Sequence, residues 1–233
     1  MLERILLVED DETLSFITKR LLENKGYDVT IASTLAQARE VLRKIRFDLI
    51  LLDMLLPDGE GIQFCSEIRK HSVCPIIFVS CLGDHETKIS ALQMGGDDYI
   101  TKPVNYEELV ARVQVNIRRA KQYNQRSESD ELVYHGFIIK KQLRQVWLTD
   151  EAGQPSVLAE LSPIEYSLLL CLTAHKGELM LYQTLYQEIW QAEDLGDVRT
   201  VMVHVSNLRK KLGEVGKDMI QTVRGAGYIF REP

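Results

Sequence analysis

Short apolar runs alternate with longer amphipathic stretches through the first half of the chain. Five runs are predicted as buried strands: Ile5 to Val8, Val29 to Ala32, Leu49 to Leu52, Ile76 to Val79 and Asp98 to Ile100. Five stretches with helical spacing of apolar residues are predicted as helices: Glu12 to Lys25, Leu35 to Ile45, Gly61 to His71, His85 to Met94 and Tyr106 to Gln122. This alternation predicts an α/β domain, a doubly wound five-stranded parallel sheet, over residues 1–121.

The pattern changes after residue 121. Residues 122–131 are polar or charged except for Tyr123, which predicts a solvated linker before a second domain over residues 132–233. Loose alternation from Leu132 to Leu148 and a turn-like stretch from Asp150 to Gln154 predict antiparallel strands. The second domain therefore begins as a sheet.

Helices and a hairpin are predicted to complete the second domain. Ser162, Pro163 and Glu165 have the spacing of a capping box, which opens an apolar helix through Leu172. The later elements are two helices and a hairpin, over Leu181 to Trp190, Val198 to Leu212 and Ile220 to Phe230, the hairpin with Gly225 and Gly227 at its turn.

Charge and composition narrow the classes of function. The formal net charge of the 233 residues is −6, yet the stretch from Arg199 to Arg231 contains seven basic residues and only two acidic ones. An acidic first part of the chain and a basic C-terminal part predict a polyanionic partner for the second domain only. No apolar stretch has the length of a membrane span, and the N-terminus has no signal-peptide pattern, so a cytoplasmic protein without membrane contact is expected.

The four cysteines follow neither disulfide-framework nor zinc-ligand spacing. Cys65, Cys74, Cys81 and Cys171 are therefore predicted to be free and buried.

Charged and hydroxyl side chains follow several predicted strands. Glu9 and Asp10 follow the first strand, Asp53 the third, Ser80 the fourth and Lys102 the fifth. The carboxyl ends of parallel strands lie along one edge, where open α/β proteins bind ligands, so these side chains are expected to meet in one crevice. Oxygen ligands favour Mg²⁺, and a carboxylate can attack phosphorus while a lysine neutralises the phosphoryl oxygens.

Taken singly, each of these residues has a simpler interpretation. An acid at a strand end is usually solvated or caps a helix, and Asp11 is a candidate cap for the first helix. Their order along the chain favours the common crevice.

The stretches "ILLVEDDE", "LILLDMLLPDGEG" and "GGDDYITKP" resemble the receiver domain of bacterial two-component response regulators. The resemblance implies that Asp53 accepts phosphate from a sensor histidine kinase and that Glu9, Asp10 and Asp53, with the Leu55 carbonyl, bind Mg²⁺. It implies that Ser80 and Lys102 contact the phosphoryl group, that Tyr99 turns inward when Ser80 moves, and that Lys102 and Pro103 are joined by a cis peptide. Val104 departs from the family, in which an aromatic is usual.

The fourth helix, fifth strand and fifth helix carry charges that are either a plain solvated face or a dimer interface. Their spacing is similar to the dimer interface of the OmpR/PhoB subfamily. That resemblance implies three ion pairs across a twofold axis: Lys88 to Glu108, Asp98 to Arg112 and Asp97 to Arg119.

The helix from Val198 to Leu212 is either a solvated basic face or a reader of DNA. "LSPIEYSLLLCL", "LYQEIW", "VRTVMVHVSNLRKKL" and "IQTVRGAGYIF" resemble the winged-helix effector domain of the same subfamily, an α+β fold. The resemblance implies backbone contacts from Arg199, Thr200, His204, Arg209 and Lys210, base-facing positions at Val203 and Asn207, and a wing residue at Arg224. Met202 and Ser206 stand where an Asp and a basic residue are usual.

The leading hypothesis is a phosphorylation-switched transcription regulator. It would be a homodimer when phosphorylated, with promoter DNA and RNA polymerase as partners, and no enzyme beyond self-phosphotransfer and autodephosphorylation. One alternative is an enzyme that hydrolyses small phosphorylated molecules, against which the lack of a second catalytic base and the second domain argue. Another is a DNA-binding regulator that never needs phosphate.

Overall fold

The computed structural model of the protein describes residues 2–82, 85–122, 131–141, 143–190 and 198–232, with the backbone alone for residues 85, 121 and 122. The chain divides into two compact units, residues 1–120 and residues 121–233. Most of the predicted linker, residues 123–130, lies outside the described residues. None of the described helices is both long enough and apolar enough to cross a membrane.

The first unit is built on a five-stranded parallel sheet. Its strands, in the spatial order β2-β1-β3-β6-β7, are β1 (Arg4–Val8), β2 (Asp28–Ala32), β3 (Leu49–Leu52), β6 (Ile76–Ser80) and β7 (Asp98–Thr101). Its helices are α1 (Glu12–Asn24), α2 (Leu35–Lys44), α3 (Gly61–Arg69), α4 (His85–Gln93) and α5 (Tyr106–Gln122). The predicted fold of this domain is confirmed. A small hairpin of β4 (Leu55–Leu56) and β5 (Gly59–Glu60) follows β3 and was missed.

Both faces of this sheet are covered by helices, and the central strand β3 is apolar and buried at every position. Leu6 and Val8 of β1 pack in one cluster with Ala38 of α2 and Phe64 of α3. The intervening residues of the same strand belong to a second cluster, which includes residues of α1 and α5. Successive side chains of a strand point to opposite faces, and this alternation is why continuous apolar runs are needed for a sheet with helices on both sides.

The second unit begins with an antiparallel sheet and ends with a smaller one. The four-stranded sheet contains β8 (Glu131–Tyr134), β9 (Phe137–Lys140), β10 (Gln145–Thr149) and β11 (Pro155–Ala159). The helices are α6 (Pro163–Ala174), α7 (Tyr182–Trp190) and α8 (Arg199–Met219). The last sheet, in the order β12-β14-β13, contains β12 (Leu179–Leu181), β13 (Ile220–Val223) and β14 (Gly227–Phe230).

Local chemistry accounts for the ends of two helices. Ser162 and Glu165 form the predicted capping box of α6, with the Ser162 amide donating to Glu165 Oε2 at 2.7 Å. Helix α8 is broken at Gly213, whose φ of 66° and ψ of −143° are not helical, and a second helical segment continues to Met219. The first helical segment of α8 therefore ends at Leu212, as the sequence pattern predicted.

Strand β12 was missed: only its last residue, Leu181, lies in the stretch that was predicted as a helix, and the two before it were assigned to no element. It pairs with β14, and a Cβ on Gly227 would lie 1.9 Å from the Met180 carbonyl oxygen. Gly227 is therefore needed for the close approach of two strands. It lies in β14 rather than at the hairpin turn, where Gly225 has a φ of 73°.

Candidate functional sites

Three carboxylates meet at the carboxyl edge of the parallel sheet, where the strand order reverses between β1 and β3. The structure brings oxygen atoms of Glu9, Asp10 and Asp53 within 4.8 Å of one another. Glu9 and Asp53 are buried, whereas Asp10 is exposed. Asp53 is held by the end of β1, since its amide donates to the Val8 carbonyl at 3.0 Å. Asp11 caps α1, as predicted, by accepting from the Leu14 amide at 2.9 Å.

Lys102 joins two of these carboxylates. Its Nζ lies 2.6 Å from Asp53 Oδ2 and 2.7 Å from Glu9 Oε2. The Lys102 amide donates to the Ser80 carbonyl at 2.8 Å, and the Lys102–Pro103 peptide is cis, as the resemblance implied. A positive charge brought in from β7 therefore lies directly on the candidate phosphoacceptor.

Burial and neighbouring charges have opposite effects on the pKa values of Glu9 and Lys102. Burial raises the pKa of Glu9 above its ordinary value even though Lys102 acts to lower it. Burial alone would lower the pKa of Lys102, but the hydrogen bonds and charges of Asp53 and Glu9 outweigh it and raise that pKa. Lys102 is therefore a permanent cation at neutral pH.

The residues of the crevice fit a magnesium ion. Three carboxylates within 4.8 Å repel one another, and Lys102 bonds to only two of them. The donors are all oxygen, with no nitrogen or sulfur ligand in the cluster, which is the set that Mg²⁺ prefers. Asp10, being exposed, leaves the site open to the waters that Mg²⁺ retains.

Ser80 and Tyr99 are connected through the segment that follows β6. Ser80 is buried, and its hydroxyl accepts from the Leu82 amide at 3.3 Å. The Tyr99 hydroxyl donates to the Leu82 carbonyl and lies 3.4 Å from the Met54 sulfur. Lys88 Nζ lies 5.7 Å from the centre of the Tyr99 ring. A chain of contacts therefore runs from Ser80 to the charged face of α4.

Two residues that follow Asp53 in the chain, Asp58 and Gly61, make close contacts with backbone atoms and were not singled out from the sequence. The amide of Gly61 donates to the Met54 carbonyl at 2.8 Å, and a Cβ on Gly61 would lie 2.0 Å from the Asp53 carbonyl oxygen. Asp58 accepts from the Leu35 and Ala36 amides at 2.8 and 2.9 Å, so it caps α2 from a distant loop. Only the run "PDGEG" marked this loop in the sequence.

Two of the proposed interface charges bind each other within one chain. Arg112 Nη1 lies 2.9 Å from Asp98 Oδ1, and Arg112 Nε donates to Glu108 Oε1 at 2.8 Å. Arg112 is partly exposed and Glu108 is exposed.

The expectation of a surface charge is wrong for Asp97. Its carboxylate is fully buried, with Oδ2 bound by Arg69 at 2.6 Å and by the Ile76 amide at 2.8 Å. Arg119 is also buried, 6% exposed, and donates to Asn116 Oδ1 at 3.2 Å. The cause is the sharp turn before β7, which directs Asp97 towards α3, so the predicted pair of Asp97 with Arg119 has neither side chain at the surface.

The cysteine prediction is confirmed in part. All four thiols are free, and Cys65 and Cys171 are buried. Cys81 is exposed because it follows the last residue of β6, and Cys74 is intermediate.

Helix α8 packs one side on the core of the second unit. Val201, Val205, Leu208 and Leu212 belong to that core. At about 3.6 residues per turn, Val203, Ser206 and Lys210 lie on the opposite side. Four residues of α8 before its break at Gly213 have exposed side chains: Arg199, Met202, Ser206 and Lys210. The outward face therefore has a basic residue near each end and Ser206 between them.

The expected DNA-binding residues differ in exposure. Val203, His204 and Asn207 are 7%, 1% and 7% exposed, and His204 packs beside the Trp190 ring at 5.6 Å between centres. Thr200 is partly exposed. Arg224 is exposed beside Gly225, at the tip of the hairpin of β13 and β14. Of the expected DNA-binding residues, the exposed ones are thus Arg199 and Lys210, near the two ends of α8, and Arg224 at the wing.

Arg209 and Lys211 are engaged within the second unit. Arg209 Nε donates to the Ile220 carbonyl at 2.9 Å and Nη2 to Thr222 Oγ1 at 2.9 Å, while its guanidinium lies 5.2 Å from the centre of the Tyr228 ring. Lys211 Nζ lies 2.6 Å from Glu165 Oε2, which is buried. These two cations fasten α8 to β13 and to α6, so part of the basic character of the helix is structural.

Comparison with known proteins identifies the family of each of the two domains. The family model described as "Response regulator receiver domain" matches residues 5–114, and the one described as "Transcriptional regulatory protein, C terminal" matches residues 153–230. The regulatory protein VanRc of Enterococcus gallinarum is 34% identical over 237 residues, covering 100% of both chains. The alkaline phosphatase synthesis transcriptional regulatory protein PhoP of Bacillus subtilis is 35% identical over 236 residues, covering 100% of this chain and 98% of PhoP.

Solved structures show the same architecture. A mutant of RitR superposes with a TM-score of 0.79 at 26% identity, covering 99% of this chain and 100% of that chain. A two-component response regulator from Clostridium difficile superposes with a TM-score of 0.50 at 34% identity, covering 51% of this chain and 98% of that chain.

The fold and the two sites define a DNA-binding regulator with a receiver domain. The chain belongs to the two-component response regulators of the OmpR/PhoB family, whose members are transcriptional regulators.

Proposed function

We propose that Asp53 of this response regulator accepts a phosphoryl group from the phosphohistidine of a sensor kinase, and that the transfer controls binding to promoter DNA. The observation that carries this proposal is Lys102 Nζ at 2.6 Å from Asp53 Oδ2, beside two further carboxylates. A carboxylate nucleophile with a fixed cation and an acidic metal pocket has the parts that phosphoryl transfer requires.

The step is a simple displacement. A carboxylate oxygen of Asp53 forms a bond to phosphorus, the bond from phosphorus to the kinase histidine nitrogen breaks, and the electron pair stays on that nitrogen. Glu9, Asp10, Asp53 and the Leu55 carbonyl are the proposed Mg²⁺ ligands, and the ion supplies further neutralisation of the phosphoryl charge. Lys102 then contacts the phosphoryl oxygens, and Ser80 offers a hydroxyl to them. Hydrolysis of the acyl phosphate by water resets the site.

The phosphoryl group is proposed to act through Ser80 and Tyr99. About two negative charges are added at Asp53, and a ligand shifts a two-state element only if it binds one state better. Drawing the Ser80 hydroxyl to the phosphate breaks its bond to the Leu82 amide, and Tyr99 is bound to the carbonyl of the same Leu82. We propose that this rearrangement alters the face formed by α4, β7 and α5 and favours a homodimer.

For the second unit we propose that α8 lies in the major groove of DNA and that Arg224 enters the minor groove. Arg199 and Lys210 are exposed near the two ends of the helix, where they suit phosphates. We also propose that Thr200 reaches DNA, and that Val203 and Asn207, each 7% exposed in this structure, reach it only after they become accessible. RNA polymerase is the proposed further partner at the promoter. We also propose that the protein acts in the cytoplasm, where promoter DNA is found.

One experiment tests the phosphoacceptor. Incubation with acetyl phosphate and Mg²⁺ is expected to add one phosphoryl group, seen by intact-mass spectrometry, and Asp53→Asn is expected to abolish the addition. Asp58→Asn is the matched control, because it changes a carboxylate in the same loop that lies outside the crevice. Labelling of the Asp53→Asn variant would overturn the assignment.

The same samples test the regulatory link by measuring promoter affinity with and without phosphodonor. Affinity is expected to rise on phosphorylation of the wild type and to stay constant for Asp53→Asn. Equal affinity in all four samples would instead support a regulator that does not use phosphate.

A further inference from the structure

In the second unit, a thiol, an imidazole and a carboxylate meet at one end of α6. Cys171 and His175 are four residues apart, at the end of α6 and directly after it, and Glu188 is on α7. One ligand atom from each lies within 4.8 Å of the others. We propose that Cys171, His175 and Glu188 form a binding site for a zinc ion.

The positions of these three residues in the sequence do not by themselves indicate a metal site. Cys171 and His175 are one helical turn apart, which brings their side chains to the same face. Glu188 is supplied by the next helix, where it faces Cys171: the Sγ atom of Cys171 lies 3.0 Å from Glu188 Oε2. The set of three ligands is therefore completed by the packing of α7 against α6, and no short sequence motif indicates it.

The imidazole is already oriented. His175 Nδ1 lies 2.9 Å from the Cys171 carbonyl oxygen. A neutral ring that donates from Nδ1 to this carbonyl leaves the lone pair on Nε2, and histidine ligands in zinc sites are commonly oriented by such a bond to a backbone carbonyl. The hydrogen bond thus selects the tautomer that a metal requires.

The chemistry of the three donors favours zinc over magnesium. Thiolate and imidazole bind borderline and soft cations, whereas Mg²⁺ prefers oxygen donors throughout. A thiolate and a carboxylate together neutralise a divalent ion, so the occupied site, which is partly buried, carries no net charge. Glu188 is exposed and His175 is half-buried, so solvent can supply the fourth ligand of a tetrahedral zinc.

Binding exchanges one proton for the ion. Without metal, the Cys171 thiol donates a hydrogen bond to Glu188 Oε2, which lies 3.0 Å from Sγ. The Sγ proton leaves to solvent, and the thiolate and Glu188 both become ligands of the ion instead of partners of each other. About one proton is therefore released for each zinc ion bound.

The first measurement uses Co²⁺ as a spectroscopic substitute for zinc on the full chain, with excess Mg²⁺ present to occupy the acidic crevice. A thiolate ligand is expected to produce a near-ultraviolet charge-transfer band that saturates at one Co²⁺ per chain and is displaced by Zn²⁺. The band is expected to disappear in Cys171→Ser and to persist in Cys81→Ser, which removes an exposed thiol elsewhere. Absence of the band in the wild type, or its persistence in Cys171→Ser, overturns the proposal.

A second pair of variants guards against misfolding of Cys171→Ser, since Cys171 is buried. His175→Gln and Glu188→Gln change more accessible side chains, and each is expected to lower Zn²⁺ affinity at least about tenfold in calorimetry. Glu178→Gln, at another exposed glutamate, is expected to bind as the wild type does. Equal affinity of the wild type, His175→Gln and Glu188→Gln would overturn the site.

Discussion

Arg112 binds Asp98 within a single chain, with Nη1 at 2.9 and 3.0 Å from the two carboxylate oxygens. The same guanidinium also donates to Glu108. A charged face between α4 and α5 is thus organised before any second copy arrives.

Reversing one of these charges is expected to block dimerisation on phosphorylation. Arg112→Glu places three acids together, with Asp98 and Glu108, and removes the cation that we propose for the interface. Light scattering of the phosphorylated protein is expected to show monomers. The combined exchange of Asp98→Arg with Arg112→Asp restores opposite charges and is expected to recover part of the dimer. Dimers that form equally well in Arg112→Glu would contradict the proposed interface.

Gly61→Ala is expected to disturb the phosphoacceptor from its backbone side. The added Cβ would meet the Asp53 carbonyl oxygen at 2.0 Å, a backbone atom that cannot rotate away. Overpacking of this kind costs about 1–3 kcal/mol of the free energy of unfolding. Denaturant unfolding measures that cost, and the rate of labelling by acetyl phosphate is expected to fall. Glu60→Ala, one residue earlier and exposed, serves as the control and is expected to change neither quantity.

Asp58 is expected to make folding stability depend on pH in the acid range. The Leu35 amide, the largest cause, and the Ala36 amide lower the pKa of Asp58 below its ordinary value in the folded state. Its stabilising contribution is therefore complete above the unfolded pKa of about 3.9 and is lost as the pH falls through the lowered folded pKa. Urea unfolding midpoints of wild type and Asp58→Ala should differ at pH 7 and converge towards lower pH. A constant difference would exclude ionisation as the cause.

Arg209 and Lys210 are adjacent but are expected to behave differently. Arg209→Ala removes hydrogen bonds to Ile220 and Thr222, so the second unit should lose about 1–2 kcal/mol of unfolding free energy. Lys210→Ala is expected to leave stability unchanged. It should weaken DNA binding at all sequences and reduce the slope of log affinity against log salt by about 1. An unchanged slope in Lys210→Ala would place that lysine away from the phosphates.

Ser206 lies on the outward face of α8, where the subfamily usually has a basic residue. Ser206→Arg is expected to raise affinity for promoter DNA and to steepen its salt dependence by about one phosphate contact. Ser206→Ala removes only the hydroxyl and is the matched comparison. Affinity that does not respond to Ser206→Arg would show that this side of α8 does not approach the DNA backbone.

Much of the architecture was predictable because it depends on local patterns. The apolar run from Leu49 to Leu52 and the helical spacing around it required a strand between helices, and Ser162 with Glu165 marked a helix start from four residues alone. Strand β12 was not predictable, since its three residues become a strand only by pairing with β14, far along the chain.

The candidate phosphoryl site was predictable for a topological reason. Parallel strands end at one edge, so Glu9, Asp53 and Lys102 had to meet once the strand order was known. The opposite holds for Asp97, whose charge was apparent but whose burial against Arg69 depends on how α3 packs.

The sequence by itself determined the two folding units, the helices and longer strands of each, and the residues that arrive at the acidic crevice, because periodicity and strand direction are local properties. Only the tertiary structure decided which charges remain available for partners. Arg209 is hydrogen-bonded to β13, and Lys211 is paired with Glu165. Cys171 contacts Glu188 because α6 packs against α7. Side-chain contacts between distant elements depend on distances in space, and these exist only after the chain has folded.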